Sequence, residues 1–96
     1  MEAHYYYVVW LQVDGGTRVK AMQIQHDVHS NRFESYITGL VYNTHYSVSV
    51  EAYRQQDKKH EGGSHTDVAI FKTDCIGIVT VAWFRDNLHH VSILHV

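Results

Sequence analysis

Residues 36–53 read Tyr-Ile-Thr-Gly-Leu-Val-Tyr-Asn-Thr-His-Tyr-Ser-Val-Ser-Val-Glu-Ala-Tyr. From Tyr46 onward, Tyr46, Val48, Val50 and Ala52 alternate with His45, Ser47, Ser49 and Glu51. A period of two sends successive side chains to opposite faces of an extended chain, so this run is a strand with one face in a core and the other toward water. Residues 33–40 form a β-prone run ahead of it. Between the two, Gly39, Asn43 and Thr44 are the residue types that let a chain leave one strand and enter the next. The stretch is a strand, a crossing and a strand.

On the N-terminal side, residues 5–13 place Tyr5, Tyr7, Val9, Leu11 and Val13 on one face and Tyr6, Val8, Trp10 and Gln12 on the other. Both faces are apolar over most of the length, which predicts a central strand. Asp14-Gly15-Gly16 is a hairpin turn leading into residues 18–25, whose weaker alternation fits an edge strand. It is not a phosphate loop, because no Lys-Ser/Thr pair and no helix follow it. Residues 26–32 are a polar connection.

On the C-terminal side, residues 55–65 hold no apolar residue and two adjacent glycines, which predicts a long exposed loop. Residues 67–73 alternate again and are expected to pair with 46–54. Residues 76–84 and 88–96 are β-rich runs flanking the turn Arg85-Asp86-Asn87, so the chain ends in a hairpin.

The composition supports an all-β protein of one domain over residues 1–96. Aromatic residues make up 12% with seven tyrosines, and such side chains favour pleated surfaces. A net charge of −2 without clustered Lys and Arg argues against nucleic acid and anionic membrane surfaces as partners. No run approaches the roughly 18 apolar residues of a membrane-spanning helix, and Met-Glu-Ala-His lacks the basic start of a signal peptide. The chain is expected to be either cytosolic or a module cut from a longer exported one. A single cysteine, Cys75, makes no internal disulfide and is expected to be a half-buried small hydrophobe.

Nine histidines invite a metal reading, but none of their spacings is that of a zinc site. His26 and His29 lie three apart in a polar connection, His60 and His65 flank the diglycine, and His89 and His90 point opposite ways along a strand. They are expected to be loop and solvent-face residues. Without a Gly-x-Ser-x-Gly elbow, paired carboxylates or a partner for Cys75, no catalytic role is expected.

The spacing Leu40, Thr44, Tyr46 resembles the Leu-x-Pro-x-Thr-x-Tyr signature of fibronectin type III domains, and residues 76–84 resemble the Leu-Thr-Val-x-Trp of that family's strand B. The resemblance implies a tyrosine corner, with the Tyr46 hydroxyl bonded to backbone within 40–43. It makes 5–13, 18–25, 33–40, 46–54 and 67–73 strands C, C′, E, F and G. Two departures stand out. Tyr42 occupies the proline position in a chain with no proline at all, and no strands A and B precede Tyr5. The C-terminal hairpin is expected to take their place, completing a seven-stranded antiparallel sandwich. Its structural core would be Leu40, Tyr46, Val48, Val50 and Trp83, with Val79, Val81 and Trp83 facing Tyr36, Val48 and Val50.

The resemblance further implies a non-catalytic module of the adhesion or receptor type, extracellular, binding a protein partner through loops or a sheet face. The mixed-charge residues Asp57, Lys58, Lys59, His60 and Glu61 are the loop candidates. No cofactor or metal is expected. The alternatives left open are a cytoplasmic location, a structural or assembly domain that completes its sandwich by strand exchange in a homodimer, and an engineered or rearranged sequence.

Overall fold

Two long alternating segments, β1 (His4–Val13) and β4 (His45–Gln56), pair antiparallel along the whole of β1, from His4 opposite Gln55 to Val13 opposite Tyr46. β2 (Val19–Gln25) closes one side of β1 through the hairpin turn at Gly15. The computed structural model describes residues 4–56, 59–73 and 77–95. Within them the chain is all-β: β3 (Arg32–Ile37), β5 (Lys59–His65), β6 (Ala69–Lys72), β7 (Val79–Phe84) and β8 (Asn87–His95) complete the set. A five-stranded sheet has the order β2-β1-β4-β5, with β6 also on β4, and a three-stranded sheet has the order β3-β7-β8. All the pairings are antiparallel.

The core lies between the inner faces of the two sheets. Tyr7 and Val9 of β1, with Tyr46, Val48 and Val50 of β4, meet Phe33 and Ile37 of β3 and Val79, Val81 and Trp83 of β7. Trp83 is fully buried and packs against the rings of Tyr7 and Phe33, with centroids 5.7 and 6.1 Å away. Leu88, Val91 and Ile93 of β8 pack against the margin. The central position of β1 explains its two apolar faces: Tyr6 and Val8, on the side away from the core, are buried as well.

Three sequence expectations need correction. The described residues form eight strands, not seven, because part of the stretch expected to be a loop is β5. Its backbone pairs with the far half of β4, Gln56 opposite Lys59 and Glu51 opposite His65. A strand added to an existing edge draws its stability from the ladder and needs no apolar alternation of its own. Gly62 leaves room for the Glu51 carboxylate, since a Cβ there would lie 2.5 Å from its Oε2. Second, Tyr36 does not face the C-terminal hairpin across the core but is 60% exposed. The inward phase of β3 is set by Phe33, Ser35 and Ile37, and a period of two puts Tyr36 on the opposite face. Third, β3 ends at Ile37 rather than Leu40. The crossing to β4 takes positive φ at Gly39 (73°) and Asn43 (56°), and Leu40 is half-buried against the core.

β5 and β6 line one edge of β4 in succession, and Thr66 joins them. Its amide donates to the Val50 carbonyl (2.8 Å), and its hydroxyl accepts the Val50 amide (2.9 Å), so a side chain supplies the ladder bond where the strand is interrupted. Both residues are buried. Thr66→Val keeps the shape but leaves the Val50 N–H unpaired, at an expected cost of about 1–3 kcal/mol. Thr66→Ser, which keeps the oxygen, is expected to retain most of the stability. Urea unfolding of the two variants checks this, and a valine variant as stable as the parent would contradict it.

Thr73 plays a related part for the crossing. Its hydroxyl donates to the Val41 carbonyl (2.6 Å) and accepts the Thr44 amide (3.0 Å), while its own amide donates to the Thr44 carbonyl (3.0 Å). The three-stranded sheet is attached to the same crossing through the Leu40 amide and the Gly77 carbonyl (3.1 Å). A Cβ at Gly77 would collide with the Leu40 carbonyl, so only glycine lets the two backbones approach this closely.

Candidate functional site

Three of the five loop candidates named from sequence lie in a strand. Lys59, His60 and Glu61 are in β5, with their backbones opposite Gln56, Gln55 and Arg54. Asp57, Lys58 and Cys75 lie outside the described residues. Of the core candidates, Tyr46, Val48, Val50 and Trp83 are in the central cluster and Leu40 packs at its edge. The Tyr46 hydroxyl accepts the Val41 amide at 3.0 Å. Removing that hydroxyl therefore orphans a donor, the Val41 N–H. Because Val41 is exposed and water can reach it, Tyr46→Phe is expected to cost about 1 kcal/mol in thermal or urea unfolding. No measurable loss would contradict the corner.

The histidines are dispersed. Among the described residues, no three His, Cys, Asp or Glu side chains come together in a way that could hold a metal ion. His26, expected in a polar connection, instead packs at the core margin. Its ring is 5.7 Å from that of Phe33, and its Nδ1 is hydrogen-bonded to the Tyr7 hydroxyl (3.1 Å). Only the tertiary fold brings those partners to it.

The most structured polar constellation is on the outer face of the five-stranded sheet. Alternation along β1 and β4 puts Tyr6, Val8 and Trp10 on that face beside Ser49, Glu51 and Tyr53. The Tyr6 and Tyr53 rings stack at 5.3 Å. Glu51 Oε1 accepts two bonds, from Trp10 Nε1 (3.2 Å) and from the Tyr53 hydroxyl (2.9 Å). Arg18, just before β2, lays its guanidinium over the Trp10 ring, 4.0 Å from the centroid. Trp10, Arg18, Ser49 and Glu51 form one wall of a shallow depression of about 380 Å³, and His65, Asp67 and Val68 line the rest of it. His65 Nδ1 is within 3.2 Å of the Thr66 carbonyl, and the Asp67 amide donates to the His89 carbonyl (2.9 Å), tying the rim to β8.

Burial pushes the Tyr53 hydroxyl above the usual phenol value, reinforced by its bond to Glu51 and by that carboxylate's charge, and opposed by Arg18. Burial likewise raises Tyr7, with Arg85 opposing and Asp86 reinforcing. Both groups hold their protons more tightly folded than unfolded. Their contribution is fully present below the unfolded phenol value near 10 and is lost as pH rises through the higher folded values. The urea midpoint is expected to hold from neutral pH to about pH 9 and to fall by about pH 11, and the fall should be smaller in Tyr7→Phe. An unchanged midpoint at the alkaline end would contradict this.

The sequence places Trp10 among aromatic residues of the kind enriched in interfaces, on a strand with two apolar faces that is expected to be mostly core, and does not connect it with Arg18 or Glu51. The one available signal was that alternation put Trp10 on the face opposite Val9. Comparison with protein-family models, curated proteins and solved structures gives no match.

Proposed function

We propose that the chain is a non-catalytic protein-binding module of the adhesion or receptor type, working outside the cell. In this reading it is a fibronectin type III-like sandwich in altered strand order, which meets its partner with the outer sheet face around Trp10. In family terms β1, β2, β3, β4 and β6 are strands C, C′, E, F and G, while β7 and β8 stand in for B and A. The support for that correspondence is the position of β7 beside β3, with Trp83 in the core.

The observation that carries the binding reading is the Trp10 constellation. A tryptophan not wholly enclosed is fixed by a bond to Glu51 and by a stacked arginine on a rigid two-strand platform. Tryptophan, tyrosine and arginine are the residues that dominate protein interfaces energetically, and a held ring loses little freedom on binding. The test is selection of a displayed library of random peptides on the full chain and on Trp10→Ala. Enriched sequences that lose binding to the alanine variant are expected. Binders indifferent to Trp10, or no enrichment, would overturn the assignment of this face.

A further inference from the structure

We propose that the depression beside Trp10 is a site for a guanidinium group, an arginine of a protein partner, and that Arg18 occupies it as an internal stand-in. The inference rests on the binding reading above and adds the partner's chemistry.

The chain itself shows what the site accepts. The Arg18 guanidinium lies 4.0 Å from the Trp10 ring centroid, within the range of a cation–π contact. Arg18 is exposed and belongs to the turn segment rather than to β2, so nothing in the strand ladder holds it there. Its release costs little. Two carboxylates, Glu51 and Asp67, line the same depression. Neither carboxylate is in an ion pair with a described side chain: Arg32 pairs with Glu34 and Arg85 with Asp86. With Arg18 in place the lining charges are one positive against two negative; with Arg18 swung out, both negative charges face an aromatic wall.

That is a field for a cation, and the shape favours a planar one. A guanidinium can lie flat on the indole while its edge donates to a carboxylate, whereas a compact, strongly hydrated ammonium loses more of its hydration for a single point contact. The depression runs beyond Arg18 to Ser49, His65 and Asp67, which leaves room for an incoming side chain while Arg18 moves aside. Arg18 therefore acts as a weak internal competitor: it keeps Trp10 covered in the free protein and yields to an arginine that also reaches Asp67.

The test follows the indole N–H resonances of the ¹⁵N-labelled full chain. There are two tryptophans, Trp10 in the depression and Trp83 buried in the core, so each titration carries an internal control. The probe is a capped Gly-Arg-Gly peptide, compared with its lysine and citrulline counterparts. The arginine peptide is expected to shift Trp10 saturably and leave Trp83 in place. Arg18→Ala is expected to bind it roughly two- to five-fold more tightly, the worth of one exposed cation–π contact. Asp67→Asn is expected to weaken it.

Citrulline shifting Trp10 as strongly as arginine, or no gain on Arg18→Ala, would overturn the cation site. Lysine matching arginine would overturn the guanidinium assignment. In each case the binding reading would survive if selected peptides still require Trp10. Silence of Trp10 toward all three peptides in both proteins would also overturn the inference, and only the failure of the display selection would take the binding reading with it.

Discussion

Replacing Trp83 with alanine is expected to cost about 3–5 kcal/mol, against a typical total of about 5–15 kcal/mol for a domain. Trp83, next to last in β7, is wholly buried, flanked by the rings of Tyr7 and Phe33 and by Val79 and Val81 on its own strand. Its removal opens a cavity between sheets whose backbones are held by their ladders and relax only in part. The indole carries a penalty of its own, because Nε1 is buried without a hydrogen-bond partner among the described residues. Trp83→Phe discards that unpaired donor along with some volume, so it is expected to lose much less than the alanine variant. Chemical denaturation of both variants checks the pair. A loss below about 1 kcal/mol for alanine would mean that the tryptophan is not the centre of the core.

Deleting residues 77–96 is expected to abolish cooperative folding. β7 is buried from Val79 to Trp83 and is the only strand paired with β3 among the described residues. Without it, Phe33 and Ile37 have no sheet to belong to, and the inner face of the five-stranded sheet, with Tyr7, Val9, Val48 and Val50, is left open to water. An exposed apolar sheet face with free strand edges leads to association, so the truncated chain should aggregate. A truncated chain that stays monomeric and melts cooperatively would show that the five-stranded sheet finds its stability elsewhere.

How far the fold was legible depended on where apolar side chains stood. β1, β4 and β6 announce themselves by alternation, and the two apolar faces of β1 marked it as central because a central strand buries both. The C-terminal hairpin was legible from the run around Trp83, and its place beside β3 from the need to cover that strand. β5 was illegible for the complementary reason: a strand with Lys59, His60, Gly62 and Gly63 carries no hydrophobic pattern, and its pairing comes from the length of β4.

Phase was harder than existence. Residues 33–40 carry apolar side chains in both phases, Phe33 and Ile37 in one and Tyr36 in the other; the fold buries the first, with Ile37 opposite Val79 of β7. The roles of Thr66 and Thr73 arise only when a break in one strand meets the amide of another. The Trp10 site suffered the same ambiguity. An aromatic on a strand apolar on both faces reads as core, and its ties to Arg18 and Glu51 need the β1–β2 turn and the β1–β4 register in place.

The central claim is that the C-terminal hairpin completes the sandwich within a single chain. Sedimentation equilibrium of the full chain, from low micromolar to near-millimolar concentration, tests it most directly. The account predicts the monomer mass of 11.1 kDa throughout, with cooperative unfolding independent of protein concentration. A stable dimer of twice that mass, with a melting temperature that rises with concentration, would contradict it and mean that β7 and β8 of one chain complete the sheet of another.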